Sequence, residues 1–396
     1  MLAGHLKKSR LAARDCGPLA ADGAADSMQE KATETPASER TSFETLHEFV
    51  APAKRNLSKE TWDYLMGGAE TETTLERNRA AIDALAFRPR VLRNVENVST
   101  RTTLFGQQLR LPVILAPIGS MQDMVKDGGI APSLAAARFG ALHMLSSACA
   151  PGLEAVAASN PHPKLFQLYV RGDAAWVDDY VERAVAERYV ALCLTVDLDY
   201  YGRRERDIAK RYLTTARRRT TSEEYQARFA WADVDRIKSK FKIPIILKGI
   251  ATAADALIAV EHGIEGIYVS NHGGRQLDHG KGGLAVLPEV VDAVAGRAAV
   301  IVDGGFMRGS DIVKAMALGA NAVGIGRLQG LAAAAGGVEG MVRMLELLED
   351  EATRCLGLIG VRSFAELDRS YLEPVAPLGL GRSWLDAAFP LLSQGY

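Results

Sequence analysis

Residues 270–278 read SNHGGRQLD and follow directly on an apolar, β-branched run, GIYVSN at 266–271. A turn accounts for the two glycines. It does not account for His272 and Arg275, three residues apart on that turn. An imidazole titrates near neutral pH and can take a proton from a substrate. A guanidinium offers a planar fork that grips a carboxylate through two hydrogen bonds. The same kinds of group recur at the ends of other apolar runs: Pro117-Ile118-Gly119, Ser146, Gln167 and Tyr169, Thr195 and Asp197, Lys248, Ser270, Asp303-Gly304-Gly305, and Gly326-Arg327.

Eight such runs carry these ends, at 112–117, 143–147, 165–170, 191–197, 244–249, 266–271, 299–305 and 322–327. Segments of helical period separate them, for example AAWVDDYVERAVAE and SDIVKAMALGA. Strand and helix in alternation predict an α/β fold with a parallel sheet closed into a TIM (β/α)8 barrel. An open doubly wound sheet is the competitor. In a barrel all C-terminal strand ends open on one face, so the polar groups converge there. The glycine-rich turn after the seventh run and Gly326-Arg327 after the eighth fit a phosphate cradle. Lys248 ends an apolar run and must reach a carboxylate, a bound anion or solvent.

Before the barrel, which starts at about 111, residues 43–100 read as an N-terminal helical segment. Ser58 is a plausible N-cap there and Gly67-Gly68 a stop. The very basic stretch 203–229 is expected to be either a solvated loop or a lid over the barrel mouth. Residues 1–42 read as a disordered tail, 43–372 as the enzyme domain and 373–396 as a C-terminal tail.

The 396 residues carry 47 Lys plus Arg against 48 Asp plus Glu, which argues against a nucleic-acid binder. No run is long and apolar enough to span a membrane. The four cysteines form no CxxC pair, which points to a reducing compartment with no structural zinc. Cys149 reads as packing, because no base pairs with it in the pattern. A cytoplasmic location and no metal are expected.

With SNHGGRQLD, DYLMGGAE (63–70), FRPR (87–90), FQLYV, LTVD with GRRE, LKG, DGG and GIGR, in order from about 43 to about 370, the chain resembles the FMN-dependent 2-hydroxy acid oxidases and dehydrogenases. That resemblance implies FMN and oxidation of an (S)-2-hydroxy acid to the 2-oxo acid. His272 is then the base and Asp197 its counter-charge. Arg275 clamps the carboxylate with help from Tyr64 and Arg204, and Tyr169 bonds the substrate. Lys248 lies by the flavin, while Pro117, Ile118, Gly119, Ser146, Gln167, Thr195 and Ser270 hold the ring. Asp303, Gly304, Gly305, Arg308, Gly326 and Arg327 hold ribityl and phosphate. Oxygen, a quinone or a carrier protein is the implied electron acceptor, and a homotetramer the implied assembly.

Several positions depart from the family pattern. Met307 stands where an Arg is usual, Ala148 where an aromatic is common, and Gly119 where Ala is common. Asp199-Tyr200-Tyr201 replaces a Pro-containing run. Stretch 203–229 is shorter than in many relatives. A 2-hydroxy acid with a bulkier side group, aromatic ones included, is the expectation. The alternatives are a non-redox flavin isomerase and a peptide-modifying or non-catalytic FMN barrel.

Overall fold

A computed structural model of the chain describes residues 43–218, 224–376 and 383–395. The tail expected at 1–42 lies outside these residues, as do five positions of the basic stretch. Eight parallel strands close into a barrel in sequence order. They are β1 (Val113–Leu115), β2 (Leu142–Ser146), β3 (Lys164–Leu168), β4 (Ala191–Thr195), β5 (Ile245–Ile250), β6 (Gly266–Val269), β7 (Ala299–Val302) and β8 (Ala322–Ile325). Nearly every position on them is buried, as expected of strands covered by helices outside and side chains inside.

Three helices precede the barrel: α1 (Val50–Asn56), α2 (Lys59–Met66) and α3 (Thr73–Asp83). Ser58 caps α2 by accepting from the Thr61 amide, and Gly67 ends it. Helix does not continue to residue 100. Pro89 lacks an amide hydrogen and restricts Arg88, so the chain turns extended. Leu85–Phe87 pairs antiparallel with Leu372–Pro374. A hairpin, Thr102–Leu104 with Gln107–Leu109, contributes Leu104 and Leu109 to the apolar layer inside the barrel.

The outer helices after β1, β2 and β3 are α4 (Ile130–Phe139), α5 (Leu153–Ser159) and α6 (Ala174–Ala186). After β4 come three short helices, α7 (Glu205–Ala209), α8 (Thr215–Arg218) and α9 (Glu224–Arg228), and then α10 (Trp231–Lys240). The remaining units add α11 (Ala253–Glu261), α12 (Gly283–Val294), α13 (Gly309–Ala317) and α14 (Arg327–Leu358), the last broken at Gly336-Gly337.

The described part of the C-terminal tail is structured. A short helix, α15 (Trp384–Ala388), packs on α3 and buries Trp384 and Phe389, since two large aromatic rings gain most by leaving water. Among the described residues no helix is long and apolar enough to cross a membrane.

Candidate active site

Strand alternation explains why chemistry gathers at one end of the barrel. Met144, Leu165, Cys193, Ile246, Tyr268 and Ile301 form an apolar inner layer. Two residues further along each strand, the same inward side carries Ser146, Gln167, Thr195, Lys248, Ser270 and Asp303. All of these but Ser146 bond to another member of the set. Lys248 Nζ donates to Ser270 Oγ at 3.0 Å, Ser270 Oγ donates to Asp303 Oδ1 at 2.7 Å, and Lys248 lies 3.5 Å from Asp303 Oδ2. Burial works against the Lys248 charge, but Asp303 and Asp197 outweigh it and raise its pKa. Gln167 Nε2 donates to Thr195 Oγ1 at 2.8 Å, which leaves the buried Gln167 Oε1 without a partner.

Above this floor opens a cavity of about 440 Å³. His272 stands in its wall at φ +59°, a left-handed conformation that is strained for a residue with a Cβ. Its Nδ1 lies 3.1 Å from Asp197 Oδ1 and its Nε2 lies 3.2 Å from the Tyr169 hydroxyl. The carboxylate accepts from Nδ1–H, so the network assigns the lone pair to Nε2, on the cavity side. Burial lowers the His272 pKa, and Lys248 and Arg204 push the same way against Asp197. The ring is therefore neutral at neutral pH. Burial alone would raise the Asp197 pKa, but His272 and Lys248 outweigh it and keep it below the ordinary carboxylate value. Burial holds the Tyr169 phenol protonated by raising its pKa.

Five arginines line the same cavity, of which Arg204, Arg275 and Arg327 have no carboxylate within ion-pair distance among the described residues. Arg275 Nη1 donates to the backbone carbonyls of Tyr64 and Gly67 at 2.6 and 2.8 Å, and its guanidinium covers the Tyr64 ring at 4.7 Å. Burial, then Arg204, lowers its pKa. Arg204, 6% exposed, sits 4.2 Å from the Tyr201 ring centroid, with one long bond to the Arg275 carbonyl. Arg327 donates to the Met66 and Gly67 carbonyls. Burial, then Arg275, drops its pKa to about 9, so it remains a cation at neutral pH. Buried cations left unneutralised at this density call for an anionic ligand.

The cavity wall also holds Tyr64, Pro117, Ile118, Gly119, Asp303, Gly304, Gly305 and Gly326. Gly304 and Gly305 have φ of +104° and +83° and lie against Asn78, where a Cβ would clash. Of the anticipated residues, Ser146, Gln167, Thr195, Asp197, Ser270 and Arg308 are not among those lining this cavity. Arg308 pairs with Glu351 of α14, which also accepts from the Gly309 amide, so that carboxylate holds the side chain away from the cavity. Ser146 accepts from the Ala148 amide and lines a neighbouring cavity. Met307 is buried and lines the main one.

The rest of SNHGGRQLD is structural. Gln276 donates to the carbonyls of Asp197 and Tyr200, fixing the strand end that carries Asp197. Asn271 exchanges side-chain hydrogen bonds with Asn78 of α3. The buried Asp278 carboxylate accepts from the amides of Thr71, Thr73 and Thr74 and from the Thr71 hydroxyl, capping α3 from across the sequence.

Other wall residues gave no signal in the sequence. Trp384 lies 5.4 Å from the Arg327 guanidinium, and Arg171 follows β3. Gln226 of α9 bridges the Val170 amide and the Thr195 carbonyl, pinning the basic stretch to the barrel. Leu213, Thr214 and Arg217 from the same stretch also line the cavity, which favours the lid over the solvated loop.

Compared with known proteins, residues 53–374 match the family model described as FMN-dependent dehydrogenase. Glycolate oxidase 3 of Arabidopsis thaliana is 37% identical over 82% of this chain and 95% of its own length. An L-lactate oxidase of Nostoc sp. is 38% identical over 83% of this chain and 97% of its own. A solved mandelate oxidase variant with a C4a-OH-FMN adduct superposes with a TM-score of 0.75 at 36% identity, over 80% of this chain and 96% of that one. With the barrel, the cationic cavity and the His272 cluster in place beneath that similarity, the chain belongs to the FMN-dependent dehydrogenase family.

Proposed function

We propose that the chain oxidises an (S)-2-hydroxy acid to the 2-oxo acid, with His272 as the base and Arg275 as the carboxylate clamp. FMN is the cofactor of the family, and the residues present fit it. The orphaned Gln167 Oε1 can accept from a ring N–H, Arg327 can neutralise a phosphate, and the Gly304-Gly305 turn leaves backbone close to a ligand. Lys248 would stand by the ring and favour negative charge on it. When bound, FMN supplies the two-electron acceptor.

This chain's own groups do the rest. Arg275 has Nη1 committed to two carbonyls, which fixes the guanidinium and leaves its other donors for the substrate carboxylate. Arg204 adds positive charge beside it. His272 Nε2 accepts the proton released from the substrate's carbinol centre, and Asp197 stabilises the imidazolium as it forms. Tyr169, fixed as a donor by burial, orients the substrate oxygen. Gly119 and Ala148 leave room for a side group larger than that of glycolate.

One observation carries this reading: a neutral His272, backed by Asp197, shares a cavity with arginines that lack carboxylates. Anaerobic mixing of the yellow holoenzyme with 2-hydroxy acids tests it. Stoichiometric bleaching of the flavin with formation of the 2-oxo acid supports it. A flavin that no 2-hydroxy acid reduces would favour a non-redox or non-catalytic barrel instead.

A further inference from the structure

We propose that the preferred substrate carries a second anionic group and that Arg171 receives it, which makes the substrate a 2-hydroxy dicarboxylic acid. This rests on the 2-hydroxy acid reading above and specifies its side chain.

A second cavity, of about 400 Å³, adjoins the main one. Among the described residues only Ala148 and Arg171 line both, so these two residues form the boundary. Ala148 contributes no more than a methyl group. Gly119 faces it so closely that a Cβ there would lie 3.3 Å from the Ala148 Cβ. The wall beside the reacting centre is therefore made of the smallest residues, and the space they leave leads to a guanidinium.

Arg171 makes no hydrogen bond or ion pair with any described residue. Its guanidinium lies 5.6 Å from the centroid of the Tyr169 ring. The hydroxyl of that same ring is 3.2 Å from His272 Nε2. One tyrosine thus separates the base from an uncommitted cation. The other cations of the cavity have work to do: Lys248 faces Asp303, Arg217 covers the Tyr201 ring at 3.6 Å, and the proposed reaction assigns Arg275 and Arg204 to the carboxylate next to the reacting carbon and Arg327 to the FMN phosphate. A neutral side chain would leave Arg171 unanswered, whereas a carboxylate matches its planar fork. Asp199, an acid that also lines the cavity, opposes a dianion there, and burial followed by Asp197 raises its pKa and so weakens that opposition.

The test compares (S)-malate and (S)-2-hydroxyglutarate with (S)-2-hydroxybutyrate and (S)-2-hydroxyvalerate on the holoenzyme, by anaerobic flavin reduction. The ratio of kcat/KM for the dicarboxylates to that for the uncharged acids is expected to favour the dicarboxylates. Arg171→Leu should lower that ratio by roughly 10–100-fold, the value of one charge-assisted contact, and Arg171→Lys should retain part of it. Binding of oxaloacetate and 2-oxobutyrate, read from the flavin spectrum, should show the same split without turnover. A wild-type preference for uncharged or aromatic side chains overturns the proposal, as does an Arg171→Leu variant with an unchanged ratio. In both cases the monocarboxylates still bleach the flavin, so the underlying reaction stands. Failure of every acid to bleach it sinks the reaction and the proposal together.

Discussion

Asp197→Asn isolates the electrostatic half of the proposed chemistry while keeping shape. Asp197 Oδ1 lies 3.1 Å from His272 Nδ1, and both side chains are 14% exposed. Two unit charges at that separation attract by about 5 kcal/mol at an effective dielectric constant near 20. That is an upper bound for what the carboxylate gives the imidazolium. The asparagine oxygen still accepts from Nδ1–H, and a neutral bond keeps roughly half the strength of a charged one. The expected loss is therefore about 2–4 kcal/mol, or roughly 30–1,000-fold in the rate of flavin reduction.

The loss should fall on the reduction rate and not on substrate affinity, because His272 is charged only after it takes the proton. The pH profile adds an independent sign. Asp197 raises the His272 pKa against the lowering caused by burial, so its removal lowers that pKa further. The acid limb of kcat/KM should then move to lower pH while the plateau falls. Anaerobic stopped-flow reduction measured across pH reads both. A variant within about threefold of wild type, or an acid limb that moves upward, refutes the pairing.

Two further outcomes follow from the geometry. Asp278→Ala strands three backbone amides at the start of α3 and should cost about 2–4 kcal/mol, read as a lower denaturant midpoint. Although burial opposes it, the bonds from Thr71 and Thr74 hold the Asp278 pKa well below the ordinary value. Its stabilisation is therefore full above about pH 4, the unfolded pKa, and is lost as pH falls through the lower folded value. Arg327→Met should act with opposite signs on the two forms of the protein. Removing a buried cation without a carboxylate stabilises the apoprotein in thermal melts, while FMN dissociation, followed by flavin fluorescence, speeds up by roughly 10–100-fold.

The barrel was legible because each strand is buried on both faces and so reads as a β-branched run. The site was legible for a related reason: inward positions that are apolar at 144, 165, 193, 246, 268 and 301 turn polar two residues later. What escaped depends on contacts distant in the sequence. Asp278 works as a helix cap for residues some two hundred positions earlier, and no local pattern announces that. Arg308 sits on a glycine-rich turn like a phosphate ligand, yet Glu351, 43 residues on, draws it away. The helical reading of 43–100 overran because Leu85–Phe87 finds its partner only at Leu372–Pro374. Trp384 and Arg171 entered the cavity wall unannounced, one from beyond the barrel and one from a βα turn with no motif of its own.

The most direct test of the central claim is single-turnover flavin reduction by His272→Gln under anaerobic conditions, at saturating 2-hydroxy acid. With Arg275 and Arg204 intact, substrate should still bind and perturb the flavin spectrum. Reduction should slow by roughly 10²–10⁴-fold, the usual worth of a positioned base. Reduction at near wild-type rate would contradict the assignment of His272 as the proton acceptor.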